Sequence, residues 1–266
     1  MGEKKIDVMG VPWDEKSTFM RGCADAPDKI WNALFSESTN PWAEKGENLS
    51  NGKRIFYQGN MNLSSGDSVV GEIQEQASSL MAKDTLPIFL GGDHAVTYPL
   101  VRALSHVFPN LNILHFDAHP DLYDTFEGDK YSHACPFARI MEEKRVERLV
   151  SVGIRSMTQH LKQQKERFGV EMIDMSRFDP WMTLSFDGPV YLSLDLDVLD
   201  PAFAPGVSHH EPGGLTTREL IRVIQSFRGQ LVGADIVEYN PYRDVQNVTA
   251  MVASKLLKEI AARFLS

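Results

Sequence analysis

Only two cysteines, Cys23 and Cys135, occur in 266 residues, too few and too far apart for a disulfide framework or a thiolate zinc site. Basic runs are missing too, and the net charge is −9. That balance argues against nucleic acid or an anionic membrane as a general partner. No apolar stretch approaches the roughly 20 residues of a membrane span. The start, Met1-Gly2-Glu3-Lys4-Lys5, runs straight into Ile6-Asp7-Val8-Met9 without the apolar core of a secretory leader. Ile6 stands where a myristoylation signal has Ser or Thr. From these absences a cytoplasmic protein is expected. Internal repeats and low-complexity tracts are absent as well. What remains, 42% apolar and 24% charged residues, is ordinary for a globular chain, and the length suits a single domain over 1–266.

Short apolar runs alternate with longer amphipathic patterns. Strands are expected over 5–10, 55–58, 87–90, 112–117, 149–154, 170–173, 190–195 and 231–236. Several are almost continuously apolar, as strands covered on both faces are. Helices are expected over 68–83, 96–107, 220–227 and 248–264, the third announced by the capping-box sequence Thr216-Thr217-Arg218-Glu219. This alternation specifies an α/β fold, a parallel sheet between helices. Three segments read as irregular: a surface loop over 36–53, a charged stretch over 122–132, and the Pro- and Gly-rich 204–214. Loops at the carboxyl ends of strands commonly serve a site.

Three of the apolar runs end in potential metal ligands. Asn112-Ile113-Leu114-His115-Phe116 leads into Asp117-Ala118-His119-Pro120-Asp121, Leu90-Gly91-Gly92 into Asp93-His94, and Tyr191-Leu192-Ser193-Leu194 into Asp195-Leu196-Asp197. Spacing by two in extended chain puts alternate side chains on one side. Ligands in open α/β sheets bind beyond the carboxyl ends of strands, so His94, Asp117, His119, Asp121, Asp195 and Asp197 are expected to share one site. Taken singly, each stretch could be a turn or helix cap; three together, each at a strand end, are hard to explain so. Four crowded carboxylates repel one another unless cations offset them. Two divalent ions match the four charges, and a set dominated by oxygen with two imidazoles suits Mn²⁺ better than zinc. A pair of ions about 3.5 Å apart activates a water between them at neutral pH.

With those stretches in view, the chain resembles the ureohydrolase family of arginases, agmatinases and their relatives. Gly91-Gly92-Asp93-His94-Ala95, Asp117-Ala118-His119-Pro120-Asp121 and Ser193-Leu194-Asp195-Leu196-Asp197-Val198-Leu199-Asp200-Pro201 are similar to its three signatures, and the likeness runs over nearly the whole chain. The segments 126–134, 204–214 and 233–241 look most like plant-type arginases, which group with agmatinases. The resemblance implies a three-layer α/β/α sandwich with an eight-stranded parallel sheet, and two Mn²⁺ per subunit. His94, Asp117, Asp121 and Asp195 would bind or bridge one ion, with His119 and Asp197 completing the second. It implies that Glu238 pairs with the guanidinium of the substrate, that His133 carries protons, that Asp121 takes part in catalysis, and that His209 lies at the substrate. Asp235 would orient a ligand. A trimer or hexamer is implied. Read alone, His133 is a surface-loop histidine and Glu238 a strand-end salt bridge.

The partner expected is a small guanidino compound, hydrolysed to urea and an amine. The stretch Leu122-Tyr123-Asp124-Thr125-Phe126-Glu127-Gly128-Asp129 is acidic and should favour a cationic tail. That places agmatine first, arginine second and guanidinobutyrate behind them. A metal-bearing scaffold without turnover is the rival class. A binuclear phosphoesterase would need a cation to clamp phosphate, and Arg155 is the candidate. His210 and Cys135, the latter either redox-sensitive or a small packed side chain, are left without an assigned role.

Overall fold

The structure, a computed structural model, describes residues 4–265 except 51, 53, 67 and 82–84. Eight strands form one sheet: β1 Ile6–Val11, β2 Ile55–Asn60, β3 Leu86–Gly91, β4 Leu111–Phe116, β5 Val146–Ile154, β6 Glu171–Asp174, β7 Ser185–Asp195 and β8 Arg228–Val237. Their order is β2-β1-β3-β8-β7-β4-β5-β6, and all neighbours run parallel. Each expected strand is present. Those that start earlier than the sequence suggests, β5, β7 and β8, do so through exposed or half-exposed leading residues such as Glu147, Ser185 and Arg228, which hide the apolar run.

Helices cover both faces. On one side α1 (Ala26–Leu34), α6 (Thr217–Ser226) and α7 (Val248–Leu265) bury Ile30, Leu220 and Leu256 in the core that also takes Leu114 and Phe116 of β4. On the other, α2 (Val69–Met81), α3 (Thr97–Val107), α4 (Pro136–Glu142) and α5 (Gln159–Phe168) bury Ile73, Leu100, Phe137 and Leu161 in the core that takes Leu111 and Ile113. Residues of β4 thus feed both cores, and the strand is buried throughout, its polar Asn112 and His115 included. The capping box of α6 forms, with Glu219 N–H donating to Thr216 Oγ1 and Thr216 N–H to the Glu219 carboxylate. The expected helix over 68–83 ends at Met81, its last two positions lying outside the described residues. Among the described residues no helix is long and apolar enough to cross a membrane.

Three helices escaped the sequence reading for physical reasons. Pro27 near the start of α1 reads as a breaker but sits in the first turn, where its missing N–H is harmless. Helix α4 has only seven residues. Helix α5 buries just Leu161 and Gln164, so its apolar period is thin; Thr158 caps it and Gly169 ends it in a left-handed turn. The loop over 36–53 is not purely superficial, because Ala43 and Leu49 are buried and Arg218 of α6 grips Glu44 with both terminal nitrogens at 2.7 and 2.8 Å.

The order β3-β8-β7-β4 matters most for function. These four neighbours are parallel, so their carboxyl ends open on one edge, with Leu90 in register with Ile236, Leu194 with Ile236, and Phe116 with Leu194. At the end of β3, Gly92 lets the chain after β1 close over the edge: a Cβ there would lie 1.7 Å from the Trp13 carbonyl oxygen, to which Asp93 N–H donates at 3.1 Å. Gly92→Ala is therefore expected to lower the unfolding free energy by about 2 kcal/mol, read as an earlier midpoint in urea denaturation; an unshifted midpoint would contradict this contact.

Candidate metal centre

His94 follows β3 and is fully buried. Its ring sits in a chain of hydrogen bonds whose direction can be worked out. Asp235, buried on β8, accepts Thr97 Oγ1–H and Tyr191 O–H at 2.8 Å each and Ser193 Oγ–H at 2.8 Å. Ser193 has one proton and gives it to Asp235, so at its 3.0 Å contact with His94 Nε2 it must accept. Nε2 therefore carries a proton, and in the neutral ring Nδ1 presents its lone pair to the site. That Nδ1 is buried and without a hydrogen-bond partner. It faces Asp117 Oδ2 and Asp121 Oδ2 at 3.1 Å and Asp195 Oδ2 at 3.3 Å.

A second set adjoins the first. His119 Nδ1 lies 2.9 Å from Asp197 Oδ2 and 3.4 Å from Asp117 Oδ1, so Asp117 turns one oxygen to each set. The backbone holds these carboxylates in place: Ala118 N–H donates to Asp197, Asp197 N–H to Asp195, and His119 N–H to Asp117. His115, two residues before Asp117 and so on the same side of the chain, reaches Asp117 Oδ2 through Nε2 at 2.9 Å and Ser151 through Nδ1 at 3.0 Å. Both its nitrogens are engaged, so it orients Asp117. Burial, then the charges of Asp197 and Asp117, pushes Asp195 well above the usual carboxylate range. Burial and Asp117 push Asp197 up likewise. Lone pairs and carboxylates facing one another call for cations. The donors fit two: His94, Asp117, Asp121 and Asp195 about one, Asp117, His119 and Asp197 about the other. All six expected ligands thus meet in one place.

Glu238 follows β8 with φ +63, a left-handed turn that a non-glycine residue adopts only at some cost. The turn aims its carboxylate inward. Oε1 accepts His94 N–H at 2.9 Å and His133 Nδ1–H at 3.0 Å. Burial alone would raise Glu238, but His133 and the His94 N–H outweigh it and hold it at about 2. Burial alone would lower His133, but the Glu238 hydrogen bond and charge lift it to about 9. Against that, Thr18 N–H points at His133 Nε2 at 3.3 Å and calls for a lone pair there, with Thr18 Oγ1 at 2.9 Å. Glu238 thus favours a charged His133 and the Thr18 N–H a lone pair at Nε2, while Nδ1 stays on Glu238. Thr18 rides on a loop that Asp93 pins, its Oδ2 accepting Lys16 N–H and Ser17 O–H.

These groups line a cavity of about 200 Å³ together with Tyr123, Phe126, Ser156 and His209. His209 stands 5.3 Å from His133 and 6.1 Å from His119, ring to ring; burial lowers its pKa and keeps it neutral. His210 turns away, to the Pro205 carbonyl and Arg243. Cys135 is buried against the Asp129 carbonyl, a small packed side chain. Arg155 spends its guanidinium on the main-chain carbonyls of Gly153, Asp197 and Glu211 and is no phosphate clamp.

The acidic stretch does not act as expected. Asp124 is held by Gln164 and Arg167, and Asp129 by Lys16 at 2.7 Å. Neither these two nor Glu127 lines the cavity, which in this quarter presents the hydroxyls of Thr18, Tyr123 and Ser156. The charge argument that placed a cationic tail first therefore fails. The sequence reading also missed Ser193, His115, Thr18 and Cys23. For the first two the signal was available: each sits two residues before a ligand, Asp195 and Asp117, on the same side of its strand.

The chain is similar over nearly its whole length to known proteins. A model of the arginase family matches residues 4–262. The mitochondrial arginase of Medicago truncatula is 44% identical over 96% of this chain and 81% of its own length. The agmatinase of Bacillus cereus is 32% identical over 97% and 91%. A solved structure of arginase from Medicago truncatula superposes with a TM-score of 0.92 at 42% identity, over 98% of this chain and 87% of that one. Two expectations are corrected by these relatives. Arginases exceed the agmatinase in identity, so arginine displaces agmatine as the better-supported substrate. Arginases of Medicago truncatula and Arabidopsis thaliana are named mitochondrial, and another of the latter chloroplastic/mitochondrial, which overturns the cytoplasmic expectation. That expectation rested on lacking a secretory core, a feature that bears on secretion alone.

Ser193→Ala removes the acceptor that fixes the His94 tautomer. It is expected to weaken Mn²⁺ binding about ten- to a hundred-fold in equilibrium dialysis, with the circular dichroism spectrum unchanged; undiminished affinity would show that the tautomer is set some other way.

Proposed function

The chain belongs to the arginase family, binuclear-metal hydrolases of guanidino substrates, and we propose that it hydrolyses arginine to ornithine and urea, as one domain spanning the chain. The observation that carries this reading is Glu238 held beside the two-cation donor set with one oxygen turned to His133. The cations are proposed to be two Mn²⁺, because carboxylate oxygens outnumber imidazoles among the donors and no thiolate is one of them. When bound, they supply Lewis-acid activation of water at neutral pH.

The chain's own groups do the rest. A guanidinium is planar and cationic and pairs with a carboxylate through parallel N–H bonds. Glu238, kept ionised, faces the cavity and fixes the plane of the guanidinium against the donor set. Asp121, at the cavity wall, is placed to hold the proton that the attacking water gives up. When the tetrahedral carbon collapses, the departing amine needs a proton, and His133 delivers one from Nε2 while Glu238 holds the ring by Nδ1. His209, neutral and facing His133, offers the substrate a polar edge without adding charge. Thr18, Tyr123 and Ser156 bring hydroxyl groups to the lining, suited to an α-carboxylate, and no carboxylate of the acidic stretch lines the cavity to repel it.

Arginine is expected to exceed agmatine in kcat/KM by roughly ten-fold or more, the scale of one or two hydrogen bonds to the carboxylate. Agmatine turning over faster would reverse the substrate assignment and leave the ureohydrolase chemistry standing. His133→Ala is expected to lower kcat about a hundred-fold with bound metal retained. Removing the metal with a chelator should stop urea release, and restoring Mn²⁺ should bring it back.

A further inference from the structure

We propose that Cys23 is a positioning residue for Glu238: its thiol donates to Oε2 and holds the carboxylate in the orientation that receives the guanidinium. The inference rests on the reading of Glu238 as the group that pairs with the substrate. Cys23 opens a single 3₁₀ turn ahead of α1, remote in sequence from every ligand stretch, and is fully buried. Its Sγ lies 3.5 Å from Glu238 Oε2 and 3.9 Å from Ser208 Oγ.

The direction of this contact follows from its neighbours. Ser208 gives its one hydroxyl proton to the Met20 carbonyl at 2.7 Å and accepts Asn240 Nδ2–H at 2.9 Å. It has no proton left for sulfur, so the proton between sulfur and carboxylate is the thiol's own. Burial, reinforced by the charge of Glu238, pushes the Cys23 thiol up and keeps that proton on sulfur. On the carboxylate, Oε1 already receives two N–H groups, from His94 and His133. Oε2 receives the thiol and retains a lone pair for the substrate.

The position of the thiol is itself fixed. Asp14 Oδ2 accepts Gly22 N–H at 2.6 Å and Ala24 N–H at 3.2 Å, clasping the residues on either side of Cys23. Gly22 has φ +145, and a Cβ on it would come 2.4 Å from Asn240 Oδ1. The choice of sulfur has a chemical logic. A lysine or arginine here would offset the charge of Glu238 and weaken its hold on a cationic substrate. A thiol is a weak, neutral donor; it orients the carboxylate and leaves its charge to the guanidinium.

The test uses the Mn²⁺-loaded enzyme and compares Cys23→Ala, Cys23→Ser and Glu238→Gln. Cys23→Ala is expected to raise KM roughly three- to ten-fold, as the loss of one weak charge-assisted hydrogen bond does. Its kcat should change less than about two-fold, because the thiol touches no reacting atom. The inhibition constant of guanidinium ion should rise by the same factor as KM, with bound metal and melting temperature as in the parent. Cys23→Ser keeps a donor and is expected to recover most of the lost affinity. Should Cys23→Ala fail to fold, the guanidinium inhibition constant of Cys23→Ser decides, a value near the parent's being the one expected and a ten-fold rise overturning the proposal. Parent-like constants in Cys23→Ala beside a raised KM in Glu238→Gln would overturn it alone, as would equal losses in the Ala and Ser variants. Parent-like constants in Glu238→Gln as well would overturn the reading of Glu238, and this inference with it.

Discussion

Buried like charge at the edge of a parallel sheet is the constraint on which this structure turns. Asp117, Asp121, Asp195 and Asp197 crowd beyond β4 and β7, and the lone pair of the fully buried His94 faces three of them. Charges removed from water cost several kcal/mol each unless they are paired. The neighbouring cationic side chain, Arg155, is committed to main-chain carbonyls. Two divalent cations held by these residues would offset that charge and would supply Lewis-acid chemistry there. The same repulsion that would disfavour the empty site gives it affinity.

Holding such a cluster requires proton placement as well as distance. Asp235 lies one layer below, with Thr97, Tyr191 and Ser193 all donating to it. Those three bonds compel Ser193 to accept from His94, and that acceptance turns the bare nitrogen upward. Glu238 is treated differently. Two N–H groups fix one of its oxygens, and a left-handed backbone turn at the end of β8 sets its direction. Strain and hydrogen bonding thus meet at one residue, and the result is an ionised carboxylate that His94, His133 and Cys23 hold at the cavity wall.

The floor of the site was legible in the sequence because its signal is local. Spacing by two after an apolar run fixes side, edge and burial together, as at Asp117, His119 and Asp121. The order of strands that brings β3, β8, β7 and β4 side by side is not local: the strand-end rule argued for a shared site, and the sheet order displays which strands are neighbours. The acidic stretch misled for the same reason. Asp124 and Asp129 read as charges, but Arg167 and Lys16, more than forty and a hundred residues away along the chain, neutralise them. Thr18 and Cys23 carried no pattern, since each reaches the site on a loop whose path is set by Asp14 and Asp93. Compartment was illegible in principle, because the packed sheet encodes chemistry and carries no address.

These two kinds of legibility correspond to a division of labour. Carboxyl ends of β3, β7 and β4 carry the metal donors, β8 between them carries Asp235 and leads into Glu238, and strands packed on both faces move little, so the reaction is fixed by the sheet. The walls come from elsewhere: the segment with Thr18 and Cys23, the stretch from Leu122 to Ala134, and the turn with Ser208 and His209. Lys16 ties the first to the second through Asp129, and Ser208 ties the third to the first through the Met20 carbonyl. Contacts of this kind couple the three loops. A change in any one of them therefore moves Thr18 relative to His133, or Cys23 relative to Glu238, before it touches a metal donor. On the proposed function, substrate choice resides in that linked rim, and charge counted along a single loop is a poor guide to it.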